Sequence, residues 1–288
     1  MITMNELFEL FTFQFFTNAI LAAFLASITC GIAGTYIVSR RIVFISGGIT
    51  HSSFGGIGIG YYLGINPVFG AAIFSIFSAI GIEFFTKKGN IRNDSVIAML
   101  WSLGMAIGVI FIYLTPGYAP NLMTYLFGSI LTVNFTDMFM LGILALILSL
   151  FFTLFYHKIL YVAFDEQFAI TKNINIPFIN YSLMILISLT IVLNIKIVGI
   201  ILILSLLTIP QNTANLFTRK FSLIIVYSMI IAFTGAMAGL IISYFLNIPS
   251  GATIIFCLVI IYLIVRVFMG LKRIKARNKT KRGLLKSV

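Results

Sequence analysis

Long apolar stretches separated by short polar interruptions run along the whole chain. Stretches of similar length lie at residues 17–38, 44–63, 67–85, 95–115, 136–156, 178–195, 197–216, 222–246 and 250–270. Because a helix needs about 20 mostly apolar residues to cross the hydrocarbon core of a bilayer, each stretch predicts a membrane-spanning helix. The pattern therefore predicts an all-α fold, a polytopic transmembrane helical bundle with eight or nine spans.

Two places leave the number of spans open. The apolar stretch 122–133 has only 12 residues, too few to cross the bilayer as a helix, and predicts a short re-entrant or interfacial segment. The interruption at Lys196 is too brief for an ordinary loop. The stretches on its two sides form either two full spans or one half-helix and one full helix.

Composition narrows the class of protein. Hydrophobic residues make up 60% of the 288 residues and charged residues only 9%, against about 25% in an average soluble protein. A soluble enzyme, a disordered protein and a disulfide scaffold are thereby excluded. Cys30 and Cys257 both lie inside apolar stretches, where a thiol is typically a small packing residue.

The positions of the basic residues predict how the chain is oriented in the membrane. With the N-terminus outside and nine crossings, every Lys and Arg except Lys196 falls on the inner side, as the positive-inside rule requires. This layout places the C-terminus inside and gives one transmembrane domain, residues 1–271, followed by a basic tail, residues 272–288. The tail favours contact with membrane lipid over nucleic-acid binding, because it follows a hydrophobic bundle.

One inner loop, residues 157–177, carries a distinctive block. Its sequence is Phe164-Asp165-Glu166-Gln167-Phe168-Ala169. The pattern predicts a short amphipathic helix on the inner surface, ending near Asn173 and before Pro177. Spacing alone leaves two interpretations open, a docking site for a soluble partner or a solvated connector.

His51 is the clearest candidate for chemistry within the membrane. It lies in a glycine-rich stretch, residues 46–60, beside the hydroxyls of Thr50, Ser52 and Ser53. Glycines let helix backbones approach closely, and a neutral imidazole is a good ligand for zinc, manganese or iron. The alternative interpretation is a hydrogen-bonded packing residue.

Other acidic residues have simpler interpretations. Asp94 and Asp137 are predicted to cap helices, because each stands at the start of an apolar stretch. Glu83 is predicted to pair with Lys87, one helical turn further on.

A helix break is predicted at Pro210. Proline frees backbone groups of the preceding turn, and the neighbouring Gln211 and Asn212 are suited to satisfy them. The break marks either a hinge or a stable kink.

The sequence has no catalytic motif and no P-loop of the form GxxxxGK[ST]. The protein is therefore not expected to be an enzyme, and any ATP that drives it must be bound by another chain.

Several blocks together resemble a known family, the membrane permeases of the manganese/zinc/iron-type ABC importers. The blocks are Ser39-Arg40-Arg41 with the glycine-rich stretch around His51, Asp94-Ser95 leading into residues 103–109, Tyr125-Leu126-Phe127-Gly128, the block 164–169, and residues 198–202 continuing through Ile209-Pro210 to Thr213-Ala214. A later Pro249-Ser250-Gly251 also fits. The resemblance covers about residues 15–265.

The resemblance implies an ATP-driven importer of a divalent transition metal in a bacterial-type inner membrane. Two permease copies would work by alternating access on two cytoplasmic ATPase subunits, and an extracytoplasmic binding protein would deliver the metal. The block 164–169 would couple to the ATPase, and no cofactor would be bound permanently. His51 matches the metal-path histidine, whereas Gly47 stands where many members have an aspartate.

Two other functions stay open. An ABC permease for a metal chelate or another small solute is compatible with a path that lacks a fixed carboxylate. An ATP-independent channel or secondary carrier belongs to a different class, and such proteins typically have more intramembrane carboxylates than this chain.

Overall fold

The computed structural model describes residues 13–89, 91–116, 128, 130 and 133–284, with side chains described as far as Lys272. Its regular elements are all helices within these ranges, which confirms the all-α class. They are α1 (Gln14–Ser39), α2 (Val43–Tyr62), α3 (Pro67–Lys87), α4 (Asn93–Leu114), α5 (Phe135–Leu154), α6 (Tyr156–Phe164), α7 (Glu166–Thr171), α8 (Ile176–Leu206), α9 (Ile209–Phe217), α10 (Phe221–Leu246) and α11 (Ser250–Leu284).

Seven segments of the described chain are long and apolar enough to cross a membrane. They are α1, α3, α4, α5, α10, the first part of α11, and one 42-residue segment that joins α8 and α9, Ile176–Phe217. Two features explain why seven such segments are found and not the predicted eight or nine spans. The predicted spans 178–195 and 197–216 fall in that one segment, and α2 is less apolar than the others because of its glycines, hydroxyls and His51.

Helix α2 is packed backbone to backbone against α3 and α4. A β-carbon added at Gly56 would overlap the carbonyl group of Gly70 in α3. One added at Gly104 of α4 would come within 2.5 Å of the Ser52 α-carbon in α2. Close approach through small residues is the usual basis of helix packing in membranes. The predicted close packing of the glycine-rich stretch is confirmed.

The predicted interruption is present, but it lies three residues after Lys196. Helix α8 continues through Lys196, and its backbone leaves the helical conformation at Gly199, with φ 83° and ψ 163°. The physical reason is that a lysine side chain does not disturb helical geometry, whereas this combination of angles is accessible only to glycine.

A second glycine with positive φ packs against the break in α8. A β-carbon at Gly128 would overlap the backbone nitrogen of Gly199 and come within 2.8 Å of its α-carbon. Gly128 ends the Tyr125–Gly128 block of the sequence. The rest of the predicted re-entrant segment, residues 122–133, lies outside the described residues except for 130 and 133.

Of the two acidic residues predicted as caps, Asp137 takes part in capping its helix and Asp94 does not. Helix α4 begins at Asn93 without a side-chain cap, because the Asp94 carboxylate accepts two hydrogen bonds from Arg92, at 3.2 Å from Nε and 2.8 Å from Nη2. Helix α5 is capped by Asn134, whose Oδ1 accepts from the Asp137 backbone nitrogen at 2.9 Å. Asp137 completes a capping box by accepting in return from the Asn134 nitrogen.

Asp137 also forms an ion pair with Lys196, the basic residue that the predicted orientation places on the outer side. The Lys196 ammonium lies 2.7 Å from Asp137 Oδ1, and this ion pair ties α8 to the first turn of α5. It lies beside a cavity of about 340 Å³ whose lining includes Asn66, Asn134 and both members of the pair.

Breaking this ion pair is expected to have a modest effect on stability. The Lys196 side chain is 41% exposed and that of Asp137 is 14% exposed, so water still reaches the ammonium; exposed ion pairs contribute about 0.2–1 kcal/mol. Asp137→Asn and Lys196→Met are each expected to lower the melting temperature by a few degrees at most. A double-mutant cycle on purified protein measures the pair itself, and strictly additive losses would show that the pair contributes nothing.

Candidate functional site

His51 projects from the middle of α2 and is half-buried. The hydroxyls beside it do not join it in a ligand set. Thr50, Ser52 and Ser53 are fully buried, and their hydroxyls donate to carbonyl oxygens of their own helix, at 2.6, 3.1 and 2.7 Å. Among the described residues, the His51 ring has no hydrogen-bond partner, and no three His, Cys, Asp or Glu side chains gather into a possible metal cluster.

The contact that orients His51 is aromatic. Its ring stacks on the indole of Trp101 from α4, with centroids 4.2 Å apart and planes inclined by 5°. Phe44 packs against the same indole at 6.2 Å. A β-carbon at Gly47 would meet the indole at 3.8 Å, so the absent side chain leaves room for it. Our sequence interpretation missed Trp101, although it is the only tryptophan of the chain.

A second feature is an elbow of two short helices, α6 and α7, on the predicted inner side. The sequence predicts one helix, but α6 ends at Phe164 and α7 begins at Glu166. Asp165 lies at the corner and caps α7, since its Oδ1 accepts from the Phe168 backbone nitrogen at 2.9 Å. Asn173, with φ 53°, follows the end of α7.

The elbow leaves most of the block 164–169 accessible. Phe164 is 64% exposed, and Asp165, Glu166 and Gln167 are exposed as well. Phe168 rests partly on the ring of Tyr161, with centroids 5.0 Å apart. Ala169 is fully buried and seats α7 on the bundle.

Two cations attach the elbow to the ends of the long helices. The guanidinium of Arg40, just after α1, donates to the carbonyl oxygens of Val162 at 2.7 Å and Ala163 at 3.3 Å, near the end of α6. These carbonyls belong to the last turn of a helix, which lacks partners of its own and has a partial negative charge. No local pattern in the sequence indicates this contact.

The second cation is Lys87, at the end of α3. Its ammonium lies 3.2 Å from Glu166 Oε1 of α7 and 3.1 Å from Glu83 Oε1 of its own helix. The predicted Glu83–Lys87 pair is confirmed. Because Glu166 shares the same ammonium, the start of α7 is tied to the end of α3.

Pro210 lies in the first turn of α9, directly after the interruption between α8 and α9. Proline has no N–H to donate to the Leu206 carbonyl four residues earlier. The Gln211 side chain takes that place, since its Nε2 donates to Leu206 O at 3.1 Å and to Cys30 O of α1 at 2.9 Å. The predicted role of Gln211 is confirmed. The same side chain also joins the interruption between α8 and α9 to α1.

These features define a class, a helical membrane protein with an aromatic-stacked histidine in a helix packed against two of its apolar spans, and a helical elbow attached to the ends of two long helices. Residues 12–269 match the model of the ABC 3 transport family. The chain is 38% identical over 268 residues to a "Probable metal transport system membrane protein" of Chlamydia muridarum, covering 91% of each. It is 34% identical over 259 residues to the "Manganese transport system membrane protein MntC" of Listeria monocytogenes serovar 1/2a, covering 90% of this chain and 92% of the relative.

A solved structure agrees with these sequence matches. A chain in the structure of PsaBC from Streptococcus pneumoniae in complex with Fab superposes with a TM-score of 0.81 at 30% identity, covering 91% of this chain and 95% of that one. The chain therefore belongs to the ABC 3 transport family, a family of metal ABC transporter permeases. The family resemblance of the sequence is confirmed.

Proposed function

We propose that the chain is the permease subunit of an ATP-driven importer of a divalent transition metal ion, manganese, zinc or iron. The names of its relatives support metal transport. The observation that carries the proposal is the half-buried imidazole of His51, which has no hydrogen-bond partner in the described chain. An ionisable side chain within a membrane helix typically marks a substrate path, and neutral imidazole is a transition-metal ligand.

Two copies of the chain enclose the path in this proposal. Helix α4 is one of the two least buried spans, and its side chains Met99, Leu103 and Tyr113 are exposed. Since α4 also carries Trp101, packing of a second copy beside this helix would bring two His51 residues to one path. One imidazole from each copy gives weak, transient binding, which transport needs because the ion must leave again.

The elbow α6–α7 serves as the contact with a cytoplasmic ATPase, which binds the ATP. Its exposed aromatic and polar side chains, above all Phe164 and Gln167, suit a soluble partner better than lipid. The termini are oriented as the basic residues predict, with the N-terminus outside and the tail inside, and α2 crosses the bilayer in addition to the apolar spans. An extracytoplasmic binding protein delivers the ion to the outer side.

Motion of the ATPase is transmitted as a rigid-body movement. Both cations that hold the elbow, Arg40 and Lys87, stand at ends of long helices. A displacement of α6 and α7 therefore acts on α1 and α3 directly, and α3 packs against α2, which carries His51. Alternating access by rocking of packed helices follows from such connections.

Metal uptake tests this function. In vesicles with the ATPase and the binding protein, uptake of one of Mn²⁺, Zn²⁺ or Fe²⁺ is expected to depend on ATP, and His51→Ala is expected to reduce it by about 10-fold or more. Loss of a residue that merely orients a metal ligand already costs about 10–100-fold in affinity. Leu146→Ala is the control, because this side chain is 69% exposed on α5, away from both His51 and the elbow.

Each alternative gives a different result in the same assay. Uptake without the ATPase indicates a channel or a secondary carrier. ATP hydrolysis without uptake of any free ion indicates a chelate or another solute as cargo. Uptake that survives His51→Ala removes His51 from the path.

A further inference from the structure

We propose that Trp101 is the positioning residue for metal binding at His51, an inference that rests on the proposed function. A metal-ligating histidine usually donates its second ring nitrogen to a carboxylate, a carbonyl or water, and this bond fixes the ring. Within the described chain the His51 ring has no such bond, and its orientation comes from the stack on Trp101.

The geometry of the stack leaves the ligand atoms free. With planes inclined by 5° and centroids 4.2 Å apart, the indole covers one face of the imidazole. The nitrogen lone pair that binds a metal lies in the plane of the ring, so a stacked neighbour does not compete for it. The stack therefore restricts rotation of the ring and keeps its edge accessible.

Three features determine the position of the indole. Helix α4, which carries it, is pressed against α2 at Gly104, whose β-carbon would lie 2.5 Å from the Ser52 α-carbon. Phe44 packs beside the indole. Gly47, one turn before His51, offers room, because a β-carbon there would already be in van der Waals contact with the indole at 3.8 Å. A longer side chain at position 47 would have to displace it.

The arrangement also indicates the class of ion. An indole face is electron-rich and attracts positive charge. An imidazole that coordinates a divalent cation becomes electron-poor, so its stack on Trp101 is stronger with metal than without. A site built on nitrogen without a neighbouring carboxylate favours transition metals over Mg²⁺ and Ca²⁺, which prefer oxygen ligands.

Fluorescence of the full-length protein in lipid vesicles tests the contact directly. The chain has one tryptophan, so the tryptophan emission reports on the surroundings of Trp101 alone. Addition of Zn²⁺ or Mn²⁺ is expected to change the emission saturably, and the same concentration of Mg²⁺ is not. His51→Ala is expected to abolish the response. A wild-type protein whose emission does not respond to either transition metal overturns the proposal.

Transport kinetics distinguish positioning from a merely structural role. Trp101→Leu is expected to raise the apparent KM for metal by about 10-fold, the lower end of the range for orienting residues, with little change in maximal rate. Trp101→Phe keeps a stacking ring and is expected to restore most of the affinity. Gly47→Leu, which displaces the indole without changing it, is expected to reproduce the KM effect, and Gly47→Ala is its matched control.

The two proposals fail in different ways. If wild type shows no ATP-dependent metal uptake, the proposed function is wrong. If wild type transports and His51→Ala does not, while Trp101→Leu keeps the wild-type KM, only the role of Trp101 is wrong. A fall in maximal rate at unchanged KM also overturns it, because it indicates a structural role.

Discussion

Replacing Gly56 by leucine is expected to leave little or no folded protein in the membrane. A β-carbon at this position would lie 2.5 Å from the carbonyl carbon of Gly70 and 2.7 Å from the α-carbon of Ala71. Both obstacles are backbone atoms of α3, so no side-chain rotation relieves the overlap. Overpacking that side chains can absorb costs about 1–3 kcal/mol. Here the cost is higher, because α2 and α3 must separate.

The matched control is Gly142→Leu. Gly142 is also a helical glycine, in α5, but a β-carbon there meets nothing within 4 Å. The yield of monodisperse protein after detergent extraction and its melting temperature are expected to fall sharply for Gly56→Leu and to stay near wild type for Gly142→Leu. Equal yields for the two variants would contradict the close packing of α2 against α3.

The extent of the helices was predictable because bilayer thickness sets the length of an apolar stretch. The predicted span 67–85 compares with Pro67–Lys87, and 222–246 with Phe221–Leu246. The close packing of α2 was predictable as well, since several glycines close together in one membrane helix let the neighbouring helices approach closely. The helices that pack against α2 could not be predicted, because the contact of Gly56 with Gly70 depends on how two helices cross.

The hydropathy pattern predicted a helix boundary in the wrong place where a polar side chain pairs with a residue of another helix. Lys196 interrupts an apolar stretch and so marks a boundary by composition, but its ammonium reaches Asp137 of another helix and α8 continues. The actual departure from helical geometry at Gly199 depends on a backbone angle. Average hydrophobicity contains no information about that angle.

The candidate site was predictable only in part. His51 was identified because an ionisable residue in an apolar stretch is conspicuous. Trp101 was not, because aromatic residues in membrane helices are common and the stack joins residues fifty positions apart. The contact of Arg40 with Val162 joins residues 122 positions apart, and no local pattern indicates such a pair.

Replacing Arg40 by glutamine is expected to uncouple ATP hydrolysis from transport, if the elbow α6–α7 contacts the ATPase as proposed. Arg40 donates to two carbonyl oxygens at the end of α6. Hydrogen bonds to charged groups contribute about 1.5–3 kcal/mol each. The ion pair of Lys87 with Glu166 joins side chains that are 41% and 45% exposed, so it contributes at most about 1 kcal/mol. Arg40 is therefore the stronger of the two attachments.

A loss of about 2 kcal/mol changes the ratio of attached to detached elbow by about 30-fold. Metal uptake by Arg40→Gln is expected to fall by at least about 10-fold while the ATPase keeps hydrolysing ATP, whereas Lys87→Met is expected to lose less than about fivefold. Arg41→Gln removes the same charge from a neighbouring exposed position whose side chain has no described partner, and it should transport like wild type. If Arg40→Gln lowers uptake and hydrolysis in proportion, Arg40 affects binding of the ATPase, and its role in transmission is wrong.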